Sequence, residues 1–270
     1  MAVYMINGVS IHEGHTGWRV LRSGTSTQGG ITNNLIKVST PNRPGYSQAP
    51  STFAEQVIVL VVRTPRNRLD ELLALCAEAK TLTLNDDPLR VLNVELASAI
   101  PAGDAPFDSV FDVTVTLSAY EGVWRDRDLQ VVGPTDVTAP VQNFSILPGI
   151  SAPVFDGDFF LRGVFGEFTL LDVASGSWVK TIRAWPGTAS TGLLYVGSTQ
   201  QAFSANESNP WVPVSDMSNY IDVSGNGGFR MAPMLVSGNP KNREVQLKLT
   251  TLSQTNTTLR IRARRAYRMG

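Results

Sequence analysis

The chain has 270 residues, and its 23 Lys+Arg balance its 23 Asp+Glu. Zero net charge argues against a nucleic-acid binder that works through bulk charge, and a hydrophobic content of 42% argues against long disordered tracts. A lone cysteine, Cys76, excludes an intrachain disulfide and a thiolate zinc site, and two histidines narrow metal and acid–base chemistry further.

Residues 1–6 carry neither a basic segment nor a long apolar core, so no secretion signal is expected. The longest plain apolar run, 57–62, has six residues where a membrane helix needs about 20. Retention in a cytoplasm is the expectation, and the glycosylation-type sites at Asn143, Asn206 and Asn256 read as chance.

Most of the chain reads as β. The run Val57-Ile58-Val59-Leu60-Val61-Val62 is β-branched and continuously apolar, which suits a strand buried on both faces. Residues 66–80 are the exception. Leu69, Leu72, Leu73 and Cys76 fall at i, i+3, i+4 and i+7, a helical stripe. Pro65 suits the start of this helix, Asp70 and Glu71 its positive end and Lys80 its negative end. Cys76 on that stripe reads as a small core residue and not as a nucleophile. Residues 81–96 read as a hairpin about the turn Asn85-Asp86-Asp87-Pro88. Residues 110–117 then alternate, with Phe111, Val113, Val115 and Leu117 on one face.

Three proline-containing breaks, Gly133-Pro134, Thr138-Ala139-Pro140 and Pro148-Gly149, mark 131–150 as a linker between domains at 1–130 and 151–270. The second half holds no helical pattern. Short strands are predicted at 159–161, 166–171, 178–184, 193–196, 220–223, 229–231, 245–250 and 258–263, with turns such as Ala174-Ser175-Gly176 between them. That spacing indicates a sandwich or jelly roll, and no repeat of 20–50 residues points to a solenoid or propeller. The fold class is mainly β: an N-terminal β-sandwich or split-barrel domain with one α-helix, and a C-terminal β-sandwich.

Candidate chemistry is sparse. His12 and His15 lack the i, i+4 spacing of helical zinc ligands, and Gly14 between them disfavours a helix. The stretch from Gly24 to Gly30 is glycine-rich but lacks the Lys-Ser/Thr ending of a phosphate loop. No Gly-x-Ser-x-Gly is present, which disfavours serine catalysis. Asp86/Asp87 and Asp156/Asp158 sit in turn-like sequence, whereas cooperating carboxylates usually come from separate strands. A non-enzyme without cofactor or metal is therefore expected.

The aromatics of the second half (Trp178, Trp185, Trp211, Tyr195, Tyr220, Phe203) read mostly as core. Trp211, between Pro210 and Pro213, is the best candidate for a ligand or partner surface. At the C-terminus Leu259, Ile261 and Ala263 alternate with Arg260, Arg262 and Arg264, followed by Arg265 and Arg268. On a strand this makes an apolar inner face and an outer ladder of arginines about 6.8 Å apart. Two readings stay open: an edge strand kept from aggregating by charge, and an anchor for an acidic partner surface.

Several features follow one another in a telling order. A short N-terminal strand carries Ile6-Asn7-Gly8-Val9, and a long hairpin has the tip Pro41-Asn42-Arg43-Pro44-Gly45. The strand 57–63, the helix 66–80, the hairpin 81–96 and a strand at 113–117 come next, running into Ala119-Tyr120-Glu121-Gly122-Val123-Trp124-Arg125-Asp126. Gly187, Tyr195-Val196 and the glycine-rich turn 224–228 before Phe229 and Pro233 complete the series. In this order the chain resembles the distal tail proteins of long-tailed bacteriophages, in the group found in phages of actinobacteria. Gly122 stands where that family often has a proline.

The resemblance implies a galectin-like C-terminal β-sandwich and a six-subunit ring at the end of the tail tube. It implies N-terminal domains that form the ring and continue the lumen, with DNA present only in transit, and C-terminal domains that point outward. The implied partners are further copies of the chain, the tail tube protein, the tape-measure protein, the tail hub and receptor-binding proteins, with no membrane. The implied location is the virion, after synthesis in the host cytoplasm. Arg43, Arg260, Arg262, Arg264, Arg265 and Trp211 are the interface candidates.

Divided at the expected boundary, residues 1–130 hold 11 Lys+Arg and 14 Asp+Glu, a net of −3. Residues 131–270 hold 12 and 9, a net of +3. That split fits a ring that does not bind passing phosphate and an arginine ladder that faces a protein neighbour. The runner-up is a carbohydrate-binding module or adhesin that stacks cell-wall sugar on Trp185 or Trp211.

Overall fold

The computed structural model describes residues 4–12, 17–26, 33–34, 37–39, 46–48, 52–53, 55–84, 87–102, 109–185, 188, 190–224, 228–236, 242–252 and 254–268. Two units are built from them, Met1–Arg127 with Tyr267–Gly270, and Asp128–Ala266.

The first unit opens with β1 (Tyr4–Ile6) and β2 (Val9–Ser10), an antiparallel hairpin. Its two-residue loop is Asn7-Gly8, with φ of 52° and 80°, the left-handed backbone that tight Asn-Gly hairpin turns require. After β3 (Arg19–Ser26) come β4 (Asn33–Asn34), β5 (Lys37–Ser39), β6 (Tyr46–Gln48) and β7 (Thr52–Phe53). They form two nested antiparallel pairs, β4 with β7 and β5 with β6, as a long hairpin demands. The expected tip with Arg43 lies outside the described residues.

β8 (Gln56–Pro65) departs from expectation. Ile58, Leu60 and Val62 are buried, but Val57 is 48% exposed and Val59 and Val61 are only half-buried. Within the unit only one face of this strand meets the core, so the period of two prevails over the continuous apolar run. A 3₁₀ turn (Arg66–Arg68) leads into α1 (Leu69–Ala77), narrower than the predicted 66–80. Its stripe buries Leu72 and Cys76 fully, and burial pushes the Cys76 thiol up to about 11. That thiol is inert core, as expected.

The helix end is tied down from a distance. Asn7 Nδ2 donates to the Glu78 carbonyl (2.8 Å), and Asn7 Oδ1 accepts from the N–H groups of Lys80 (2.9 Å) and Thr81 (3.1 Å). One side chain thereby satisfies a carbonyl that the helix C-terminus leaves open and two N–H groups of the segment leading into the next strand.

β9 (Thr81–Leu84) and β10 (Asp87–Asn93) make the predicted hairpin, but it ends before residue 96. At Val94 the chain changes sheets, and β11 (Glu95–Ala102) pairs instead with β12 (Val110–Ala119). β12 also pairs with β8 over ten residues, with Phe111, Val113, Val115 and Leu117 in the core as predicted. With β13 (Trp124–Asp126), and besides the two small pairs, the unit holds two larger sheets, one containing β2-β1-β9-β10-β13 and one ordered β11-β12-β8-β3. Tyr267 belongs to the first, and its hydroxyl donates to Asp126 Oδ1 (2.9 Å).

The segment expected as a linker, 131–150, is a correction. It forms β14 (Gln130–Asp136) and β15 (Val141–Ile146), and the boundary between units falls after Arg127. The prolines mislead because each sits where no ladder N–H is needed. Pro134 lies in an edge strand at the register shift between Val132 and Thr135, and Pro140 and Pro148 stand just outside β15.

β16 (Asp158–Phe165), β17 (Phe168–Asp172), β18 (Trp178–Thr181), β19 (Thr191–Val196), β20 (Gln201–Asn206) and β21 (Ser215–Asp216) follow. β22 (Ile221–Val223), β23 (Pro233–Leu235), β24 (Arg243–Thr251), β25 (Gln254–Ala263) and β26 (Ala266–Tyr267) complete the chain. All but β26, together with β14 and β15, make a sandwich of two antiparallel sheets, β14-β25-β16-β19-β20-β21 and β15-β24-β17-β18-β22 with β23 beside β24. Residues 229–231 are not a strand, since Met231 makes only an isolated bridge to Val154. Between the sheets Phe159 stacks on Tyr195 (5.0 Å between centroids) and meets Phe168 and Phe229 edge-on. No helix among the described residues is long and apolar enough to cross a membrane.

A buried carboxylate closes β17. Asp172 is fully buried, and its Oδ2 accepts the Ser175 N–H (2.7 Å). Desolvation raises its pKa, so the fold favours the protonated form. The stability this contributes is fully present below the ordinary carboxylate range and is lost as pH rises through the raised value. Asp172→Asn should flatten that decline in urea midpoints measured from pH 4 to 7. Asn7→Ala, which loses three hydrogen bonds and the left-handed tolerance of asparagine, should lower the stability of the first unit by about 1–3 kcal/mol. Asn7→Gly should lose less, because glycine keeps the turn.

Candidate functional site

The arginine-rich C-terminal strand is β25, and it is not an edge. It lies between β14 and β16, so the reading of a charged edge strand is corrected. Its alternation holds: Leu259 and Ile261 enter the sandwich core, and Arg260 and Arg262 stand on the opposite face. Register then decides their partners. Arg262 is directly opposite Asp158, and Arg260 is opposite Phe160.

Arg262 donates from Nε (3.0 Å) and Nη2 (2.5 Å) to Asp158 Oδ2, while Asp158 Oδ1 accepts the Gly197 N–H (3.1 Å). The guanidinium carbon of Arg262 sits 4.7 Å from the centre of the Trp211 ring. Trp211 itself packs on Phe160, Leu194 and Ala205, a small buried cluster on the outward face of the sheet. Gly192 makes room for it, because a Cβ there would meet the Phe160 ring at 2.6 Å. Glu207, at the start of the loop that carries Trp211, pairs with Arg162 and lies 3.9 Å from Arg260. The hydrogen bond from Arg162, with its charge, holds the Glu207 carboxyl below the usual range.

The structure therefore brings Arg260, Arg262 and Trp211 together, with Asp158, Glu207 and Arg162 that the sequence did not connect to them. Three guanidinium groups meet two carboxylates, so the ladder is largely neutralised by its own unit. Arg264 is half-buried and outside this cluster, and Arg265 Nη1 donates to the Pro148 carbonyl (3.2 Å). Trp185 is 5% exposed and stacked on Phe165, so it cannot present a ring to a sugar. His12 Nδ1 accepts the Val20 N–H (3.0 Å), and His15 lies outside the described residues.

The charge split is also revised. Drawn at the observed boundaries, Asp128 moves to the second unit and Arg268 to the first. The first unit then holds 12 Lys+Arg and 13 Asp+Glu and the second 11 and 10, net charges of −1 and +1. The polarity came from the position of the cut.

Across 98% of this chain and 99% of its own, the structure is similar to the crystal structure of the SPP1 Dit (gp 19.1) protein, a paradigm of the hub adsorption apparatus in phages infecting Gram-positive hosts, with a TM-score of 0.55 and 12% identity. The chain shares the fold of that Dit protein. Two structures of the phage P2 baseplate in its activated conformation also align. The one with Ca aligns over 100% of both chains (TM-score 0.43, 8% identity), and the one with Sr over 97% of this chain and 98% of that one (TM-score 0.40, 9% identity). No family model and no curated protein matches the sequence.

The Asp158–Arg262 pair is half-buried, with side-chain exposures of 10% and 26%. Arg262→Ala should destabilise the second unit by about 1–3 kcal/mol, because it strands a carboxylate and uncovers Trp211. Arg262→Lys should recover only part of this, since an ammonium cannot both stack flat on the indole and bond the carboxylate. Urea unfolding of both variants, followed by tryptophan fluorescence, checks the order.

Proposed function

We propose that this protein is a structural component of a phage virion, at the distal end of the tail, where six copies form a ring between the tail tube and the baseplate or tail tip. The observation that carries this reading is the fold shared with the SPP1 Dit protein along nearly the whole of both chains, both units included. The order of sequence features points the same way. In this reading the first unit makes the ring and continues the DNA conduit, and the second unit is available to the tail hub and receptor-binding proteins. The tail tube and tape-measure proteins are the neighbours on the tube side, and the host is an actinobacterium. The protein acts through contacts and carries out no catalysis.

The internally paired arginines refine the reading. Arg260 and Arg262 hold the shape of the second unit, so they serve a partner by presenting Trp211 and its loop rather than as free charges. Val212 and Val214 on that loop are exposed (49% and 61%), which is the apolar component such a contact needs.

Antibody labelling of phage particles under the electron microscope, with negative-stain imaging of the purified protein, tests the proposal. Label confined to the tail tip and rings of six, each subunit 29.3 kDa, are expected. Label on the head or along the tube, or a protein absent from particles, would sink it.

A further inference from the structure

One aromatic side chain stands apart. Tyr120 is 61% exposed, and every other aromatic whose side-chain burial is described is buried or half-buried. It sits at the tip of the turn from β12 to β13, closed by the Gly122 N–H to the Ala119 carbonyl (3.0 Å). A tyrosine buries a large apolar area when it packs, so a ring left in water at a turn tip forgoes that stabilisation.

The ring borders a cleft of about 400 Å³ lined by Lys80, Asn93, Val94, Glu95, Tyr120 and Glu121. The place follows from topology. Val94 is where the chain leaves one sheet for the other, its N–H donating to the Lys80 carbonyl (2.9 Å), and the strand change opens a gap that the turn at Tyr120 flanks. The volume lies within the range of small-ligand pockets, about 300–1,000 Å³. The side chains of Lys80, Asn93, Glu95 and Tyr120 make no hydrogen bond or ion pair within the described residues, whereas Glu121 is held by Arg125 (2.9 Å). Donors and acceptors thus converge on the cleft uncommitted.

Charge selects the class of ligand. Lys80 balances Glu95, and Arg125 balances Glu121, so the cleft has no net charge with which to hold an ion. What it offers is one aromatic face, an amide, a carboxylate and an ammonium. A pyranose ring presents the complement, an apolar C–H face and a rim of hydroxyls that donate and accept. We propose that this cleft of the first unit binds one ring of a neutral saccharide, stacked on Tyr120 and hydrogen-bonded by Asn93, Glu95 and Lys80. This relocates sugar recognition from the tryptophans of the second unit, one buried and one capped by Arg262, to a residue that is open. It does not rest on the ring reading, since a monomer carries the whole site.

The test is saturation-transfer NMR on the full chain with neutral mono- to tetrasaccharides of glucose, galactose, rhamnose and N-acetylglucosamine, each at about 10 mM, well above a 1 mM Kd. At least one sugar should bind, and 0.5 M NaCl should leave the affinity unchanged, because a neutral sugar brings no charge to be screened. Tyr120→Ala should weaken that binding about threefold to tenfold, the worth of one aromatic stacking contact. Tyr120→Phe should retain it, and Glu95→Ala should weaken it. Circular dichroism should show all three variants folded, as exposed positions allow. No bound sugar from the set, a Tyr120→Ala variant that binds as the parent does, or binding abolished by salt would overturn the proposal. So would binding that survives at Tyr120 variants but is lost in Trp211→Ala.

Discussion

Antiparallel pairing between two long strands organises each unit, β8 with β12 over ten residues and β16 with β25 along most of their lengths. A strand has two faces, and pairing fixes which residues share one. Once Leu60 lies opposite Val115 and Phe159 opposite Ile261, every second residue must face away from the core. In the first unit that outward set is Val57, Val59 and Val61 beside Thr114 and Thr116, tolerable at a partly wetted surface. In the second it includes Phe160 and Leu194, both fully buried although they point out of the sandwich. Burying such side chains contributes roughly 1.5–3 kcal/mol each, so a cover for them is strongly favoured.

That cover accounts for the arginines. The loop after β20 lays Trp211 over the cluster, and Arg262 lies on the indole while Asp158 holds its guanidinium from the neighbouring strand. The long aliphatic stems of Arg260 and Arg262 suit the rim of an apolar patch, with their charged heads directed to Glu207 and Asp158. Around Arg260 and Arg262, like charges adjacent in sequence become a nearly neutral cluster in space. The same happens at Arg63, paired in two hydrogen bonds with Asp112 directly across the β8–β12 ladder, where the arginine holds the carboxyl below its usual range.

Local periodicity was the legible part. The stripe Leu69, Leu72, Leu73, Cys76 marked α1, and the alternation of 110–117 marked β12 with the correct inward face. The alternation at 259–263 likewise separated core from arginines. What stayed hidden depends on pairing between distant residues. That Arg262 meets Asp158 is a matter of register over a separation of 104 residues, and nothing in either local sequence encodes it. The false linker arose because proline was read as a break where an edge strand tolerates it, and the β20 strand Gln201–Asn206 was missed because its residues are weak in apolar alternation. Tyr120 stands in the run 119–126, but its exposure follows from a turn that only the fold defines.

Neutralised charge bears on how such a protein would meet its neighbours. Fields of several kT steer partners from a distance only when charge is left uncompensated. With units near −1 and +1 and Arg260 and Arg262 already paired, long-range steering is weak, and association would rest on contact area and fit. A mixed, closely paired surface also offers passing nucleic acid little phosphate affinity, because counterion release needs free cations. A low affinity for phosphate therefore does not need an acidic surface. Pairing of basic side chains within their own unit also lowers it, which is what strand register does for Arg63 and Arg262.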